Sequence, residues 1–511
     1  MSKSTTKSYV VSYELKFDEA NPMSVLSKLD KIAVDIYNTV LREGLKRLHK
    51  VQHDRIYQSY REEYVKLLQK KKLTSVDKKI KNELSKQMNE ICKDYGFAEY
   101  DLYHYVVVPR HHFHNQLGAH ECQKLASIAF KALQNLRFGK AEKVHFKKRD
   151  ELISITSKDN TTGIRFDRDT MSVRYKSHSF PIIIKPNDQY AQIAFLDRVK
   201  YVQLMPKRIR GKVRWFANIT FEGIPPQKEN HVFGDEETVQ GIDIGVSTVA
   251  VVNEHEAHLY ELAEGCNLDM HKKRIIERKM DRSRRVTNPD NYNADGTVKK
   301  GRHTWKQSNA YKKLKAKLAE ISRKITIKRK QEHEMLANKI LASGTDIRVE
   351  SMSFKGLQKR SKNITRKSNG RINSKKRFGK TIQSRAPAML LSILNRKLGY
   401  IDSSIKKVNT AKVKASQYNP LTKTYQRKEL KDRMIQLKDG TIVQRDMLSA
   451  YILANTNSSL ASLNKKKCLQ GFDNFKRLQD SEIQRLPNNI ARKPPTLVVG
   501  MNGFFRLDNV V

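Results

Sequence analysis

Apolar and polar positions alternate in SYVVSYELKFD at residues 8–18, the period of two that marks a strand with one buried face. Directly afterwards Leu29, Ile32, Ile36 and Val40 recur at three and four residues, so a strand leads into helices. To about residue 135 the chain is rich in Lys, Leu and Glu, with turn candidates near Gly96 and Pro109, and reads as a helical domain. Between 144 and 224 the pattern shortens. VHFKKR, ISITS, GIRFD, SVRYK, PIIIK, AQIAF, KYVQLMP and KVRWFANITFEG are β-prone runs separated by Asp, Asn, Gly and Pro, and they predict a small barrel or sandwich. The Pro-rich and then acidic IPPQKENHVFGDEE at 224–237 marks a boundary, with a new domain from about 238.

That domain opens on TVQGIDIGVSTVAVV, where two strands would pair around Asp243 if Gly245 takes a positive φ. After the turn-rich TNPDNYNADG, Tyr311, Leu314, Leu318, Ile321 and Ile325 step by three and four and predict a helix from about Thr304 to Leu341, with Lys and Arg on its other faces. A short apolar stretch, DIRVES, ends at Glu350, and QRDMLSAYILAN places Asp446 at a helix start.

Charge names the partner. With 100 Lys+Arg against 53 Asp+Glu the formal charge is +47, which suits a polyanion. No window holds 18 consecutive apolar residues and the start lacks a signal h-region, so a membrane is not expected and a prokaryotic cytoplasmic or nucleoid location is. The length allows about three or four domains. Cys92, Cys122, Cys266 and Cys468 form no Cys-x-x-Cys pair, so buried reduced thiols are expected and zinc is not. His104, His111, His112, His114 and His120 near Cys122 fit no standard metal spacing.

Two strand ends and a helix start can bring Asp243, Glu350 and Asp446 to one point. Three carboxylates suit two magnesium ions, with manganese as a substitute, because hard cations prefer oxygen ligands. Two such ions can hold both the attacking water and the leaving oxygen of a phosphodiester. Asp243 would bridge, Glu350 would hold one ion and Asp446 the other, and no nucleophilic Ser or Cys is required.

At these residues the chain resembles the TnpB proteins of insertion sequences and the related miniature type V CRISPR effectors. GIDIGVST resembles the first motif of their RuvC-like nuclease domain, VESMSFKGL the second and QRDMLSAYILAN the third, in the same order and at similar separation. LGYIDSSIKKVNTAKVKASQYN (398–419) resembles the family stretch that leads into a zinc ribbon. The resemblance covers 236–455 well and the first 235 residues only in layout. It implies a multidomain α+β chain. A small wedge-like β-barrel (1–25 and 136–235) would carry an inserted helical recognition domain (26–135). An RNase H-like RuvC α/β domain (236–511) would follow, with long basic helices, an insert at 398–445 and a tail at 456–511. The implied activity is RNA-guided cutting of DNA: a bound guide RNA pairs with one strand, the protein reads a short flanking motif in the duplex, and one RuvC site cuts.

Two positions depart from the family pattern. Residues 415–445 lack the ribbon cysteines, and TKTYQRK and MIQLKDGTIVQ could pair instead as a metal-free hairpin turning at Asp439-Gly440. Leu448 stands where the family usually carries Asn. The run 359–380 holds ten Lys or Arg and no acid, including Arg360, Lys362, Arg366, Lys367, Arg371, Lys375, Lys376 and Arg377, and is expected to lie over the metal centre as a lid that orders on nucleic acid. Tyr9, Tyr13, Tyr175, Trp215 and Phe216 fall in strands and are expected to pack, whereas Tyr418 and Tyr425 are placed to stack on unpaired DNA. Arg445 would contact the scissile phosphate or cap a neighbouring carboxylate. A guide-dependent repressor with weak or no cleavage and an RNA-independent RNase H-like transposase stay open as alternatives, as does one or two protein copies per RNA.

Overall fold

A computed structural model describes residues 6–70, 73–227, 232–359, 378–426, 433–437 and 439–486. It is a mixed α+β chain that divides into two compact units, Met1–Gln227 and Lys228–Val511. The lid candidates at 360–377 lie outside the described residues.

In the first unit β1 (Ser8–Leu15) precedes six helices: α1 (Met23–His53), α2 (Arg55–Gln69), α3 (Ser75–Asp94), α4 (Glu99–Tyr105), α5 (Val107–His112) and α6 (Ala119–Arg137). The remaining elements are β2 (Ile155–Thr156), β3 (Arg165–Asp167), β4 (Ser172–Tyr175), β5 (His178–Ile183), α7 (Gln189–Ala194), β6 (Val199–Ile209) and β7 (Lys212–Glu222). The strands form one antiparallel sheet in the order β2-β6-β7-β1-β5-β4-β3, so the first strand in sequence becomes the central one.

Period-two patterning buries Tyr9, Tyr13 and Leu15 on one face of β1 while Val10 stays exposed. The sheet curls around aromatic pairs. Tyr9 stacks on Phe221 at 5.4 Å, Tyr13 on Phe195 at 5.4 Å, and Phe195 on Phe166 of β3 at 5.3 Å, drawing an edge strand to the same core. The apolar stripe of α1 packs on α6, and the helices and sheet share one continuous hydrophobic core.

Three local expectations change here. AQIAF forms part of helix α7, because the Asp188 carboxylate accepts the Ala191 N–H at 3.1 Å and caps the turn. VHFKKR adopts no strand. Pro109 sits inside α5, in the first turn, where its missing N–H has no partner to lose.

The second unit carries β8 (Val239–Ile244), β9 (Thr248–Val252) and β10 (Ala257–Glu261), then the long helices α8 (Asn267–Thr287) and α9 (Asn309–Ala342). Then come β11 (Asp346–Glu350), α10 (Phe354–Leu357), α11 (Gly379–Arg385), α12 (Pro387–Leu398), β12 (Lys406–Val408) and α13 (Thr410–Val413). Two small hairpins, β13 (Tyr418–Asn419) with β14 (Thr424–Tyr425) and β15 (Met434–Gln436) with β16 (Ile442–Gln444), lead to α14 (Arg445–Ala454), α15 (Lys465–Gln470) and α16 (Phe472–Arg485). The main sheet runs β10-β9-β8-β11-β12; β10, β9 and β8 are antiparallel, while β8, β11 and β12 are parallel.

Both faces of this sheet are covered, which is why β9 is buried throughout. Ile242, Ile244, Val249, Val251, Ile347 and Val349 pack towards α9 and α12, whereas Ala250 and Val252 pack towards α14 and α16. Helix α9 starts later than its pattern suggests. The Asn288 side chain binds the Lys306 N–H at 2.7 Å, Arg284 covers Trp305 at 5.0 Å, and Ser308 supplies the cap by accepting from Tyr311 N–H.

The insert also pairs differently from expectation. MIQLKDGTIVQ folds back on itself, with Gly440 at φ +90°, while Thr424–Tyr425 pairs with Tyr418–Asn419. All four cysteines are free and buried. Among the described residues no helix is long and apolar enough to cross a membrane.

Candidate active site

Alternation along β8 and β11 decides where the acids point. Ile242 and Ile244 face the α9 side, so Gly241 and Asp243 face α14; Ile347 and Val349 likewise leave Arg348 and Glu350 on the α14 side. The parallel register Val349↔Ile242 brings Glu350 level with Asp243 on the adjoining strand. Asp446 occupies the first turn of α14, where the Gln444 side chain caps the helix by accepting the Met447 N–H at 2.6 Å.

Gly241 makes this approach possible. A Cβ there would collide with the Ala450 carbonyl and lie 2.5 Å from the Ala454 nitrogen, so only glycine lets α14 lie this close to β8. Gly245, expected to provide the critical turn, has no positive φ; the β8–β9 hairpin closes through Gly245 N–H to the Thr248 carbonyl at 2.8 Å.

Burial raises the Asp243 carboxyl well above the ordinary carboxylate range, and the charges of Asp446 and then Glu350 push it further. The Ser449 hydroxyl and Arg445 pull the other way; Ser449 Oγ is buried beside the acid without meeting hydrogen-bond geometry. Burial also raises Glu350.

Asp446 has cationic neighbours. Arg445 Nη2 donates to Oδ1 at 3.0 Å and Arg433 Nη1 donates to Oδ2 at 2.6 Å. Of the two roles open to Arg445, capping a neighbouring carboxylate is the one this geometry displays. The oxygen donors suit a hard divalent cation. Among the described residues no group of three or more His, Cys, Asp or Glu is placed to hold a metal ion, and both oxygens of Asp446 are occupied by guanidinium groups. The histidines around Cys122 form no such group either.

Tyr418 moves from the surface to the interior. It is fully buried among the apolar residues under α14, its ring 5.2 Å from that of Tyr425, so base stacking is closed to it. Tyr425 is 45% exposed and keeps that option. Leu448, in the position that resembles a family Asn, is also core, and its neighbour Ser449 is the polar side chain that lies by Asp243. Tyr9, Tyr13, Tyr175 and Trp215 are buried as expected from their strands, while Phe216 lies half-buried beneath Lys207 at 4.1 Å.

Sequence reasoning missed Arg433 and Gly241. The sequence misplaces the first by one residue: a two-residue turn at Asp439-Gly440 would set residue 433 opposite 446, whereas the pairing Met434↔Gln444, followed outward, sets it opposite 445, where the Arg445 N–H donates to the Arg433 carbonyl at 2.8 Å. For Gly241 the only clue was a glycine inside a strand, which often marks a close backbone approach.

No family model matches the chain, and no curated protein matches it. Among solved structures it is similar to a cryo-EM structure of a Cas12f1-sgRNA-target DNA complex, at 13% identity and a TM-score of 0.47, covering 84% of this chain and 82% of that one. A cryo-EM structure of a CRISPR-Cas12f ternary complex is also similar, at 12% identity and a TM-score of 0.25 over the same shares.

Proposed function

We propose that the chain is an RNA-guided DNA endonuclease whose single cutting site is built on Asp243, Glu350 and Asp446. The observation that carries this reading is their common placement. Adjacent parallel strands and the first turn of α14 present the three acids on one side of a mixed sheet, with Asp243 raised first by its burial and then by the charges of the other two. A mixed five-stranded sheet with three antiparallel and then parallel strands is consistent with an RNase H-like domain. The triad motifs and the formal charge of +47 support a guide RNA and duplex DNA as partners. On this reading the helices and curled sheet of the first unit grip the guide–target duplex through its backbone and shape.

Magnesium, or manganese in its place, is the cofactor expected from the donor types, and when bound it would supply an activated water and offset charge on the leaving oxygen. The chain's own residues present the ligands and place Ser449 and Arg445 around Asp243. A guide-dependent repressor with little cutting is the second reading, and the pairing of Asp446 to two arginines favours it.

Sequencing the RNA that co-purifies with the full-length protein tests the guided part. A discrete RNA species is expected, and nucleic acid of no defined sequence would overturn it in favour of an unguided transposase.

A further inference from the structure

Asp446 draws its counter-ions from two places. Arg445 is its neighbour in sequence, while Arg433 arrives from the far strand of the β15–β16 hairpin, where its carbonyl accepts the Arg445 N–H. The open end of that hairpin therefore sets two guanidinium groups side by side, one for each carboxylate oxygen. The side chains of Arg433, Arg445 and Asp446 are only 14%, 11% and 12% exposed, so water weakens these pairs little.

We propose that Arg433 is a positioning residue that locks Asp446 by standing where a divalent cation's charge would stand, so that a cation must displace this guanidinium before Asp446 can act as a ligand. The inference rests on the two-ion reading of the triad. It accounts for a triad acid whose two oxygens are both taken by guanidinium groups. The lock is not opened by a change of pH in the working range, because a guanidinium keeps its proton. It opens by movement, and the hairpin suits that. Each strand is three residues long, and Arg433 Nε is buried without a hydrogen-bond partner, so leaving the pocket also relieves an unsatisfied donor.

The test titrates Mn²⁺ into the full-length protein and counts free ion by electron paramagnetic resonance, with no cutting assay involved. Arg433→Ala is expected to bind Mn²⁺ about tenfold more tightly than the unmodified protein, with Arg433→Lys between the two. Arg282→Ala, which removes an equal charge from α8, is expected to leave the affinity unchanged. Adding Asp243→Ala to Arg433→Ala should erase the gain, which places the ion at the triad. Should Arg433→Ala fail to fold by circular dichroism, Arg433→Gln carries the same expectation. Unchanged or weaker affinity in the folded Arg433 variants, with Asp243→Ala still reducing it, would overturn the lock and leave the two-ion reading standing. Mn²⁺ binding indifferent to Asp243→Ala would overturn both.

Discussion

The two sheets of this chain put their interiors to different use. In the first unit the seven-stranded sheet curls over stacked rings, Tyr9 on Phe221 and Phe166 on Phe195, and Trp215 is almost wholly buried. In the second, β8 and β11 each direct an acid to the same covered face, and a third acid is brought against them by a helix that only Gly241 allows so close. One interior is spent on packing. The other holds like negative charges together at a cost in stability, which is what a site for cations would do and a scaffold would not.

The contrast can be broken at either end. Trp215→Ala is expected to cost about 3–5 kcal/mol in urea unfolding while the cutting rate per folded molecule stays near its original value. A large loss of rate in the folded fraction would mean the first sheet is more than scaffold. Gly241→Ala should cost about 1–3 kcal/mol by overpacking and lower cutting by about a hundredfold, since α14 and with it Asp446 must shift. Cutting at full rate in that variant would show that the closeness of α14 is incidental.

Asp243→Asn sharpens the electrostatic half of the contrast. A carboxyl raised in the folded state above its unfolded value loses stability as pH climbs past the ordinary carboxylate range, so at pH 7 in chelator the Asn variant should be more stable by about 1 kcal/mol. A less stable variant would contradict the repulsion.

The smallest effect concerns how α16 is held on β10. His258 is raised to about 9 by its contacts with Glu256 at 3.2 Å and Glu482 at 3.3 Å, and its contribution is complete below about pH 6.5 and lost as pH rises through 9. Glu482 is lowered to about 2 because its bonds to His258, Arg485 and the Leu259 N–H together outweigh the effect of burial. Its share is complete above about pH 4.5 and lost as pH falls towards 2. The share of stability contributed by this pair should therefore be flat between those limits, and His258→Gln should lessen the alkaline decline of the melting temperature; an unchanged decline would discharge His258 from the role.

Much of this was legible in local pattern. Alternation at 8–18, the stripe on α1 and the β-branched run around Asp243 each describe a segment that buries one face or both, and such segments declare themselves by spacing alone. What spacing could not convey was competition between local signals. AQIAF has strand-like residues, yet one aspartate cap makes it helical. The apolar stripe from Thr304 was cut short by a side chain 18 residues earlier that holds Lys306 in the loop. Tyr418 read as a surface aromatic in a polar insert because nothing local says that α14 and Cys468 will enclose it. The candidate acids were found because their flanks are ordinary strand and helix starts. Arg433, which changes what Asp446 can do, is visible only once a hairpin register is followed outward.

The most direct measurement is guided cutting of a matched DNA duplex by the full-length protein carrying its co-purified RNA, in magnesium, for the single variants Asp243→Ala, Glu350→Ala and Asp446→Ala. Each should lose at least about a thousandfold in cutting while retaining the RNA, as expected where groups act as one unit. Cutting retained in any of the three, with RNA still bound, would contradict a site built on these carboxylates.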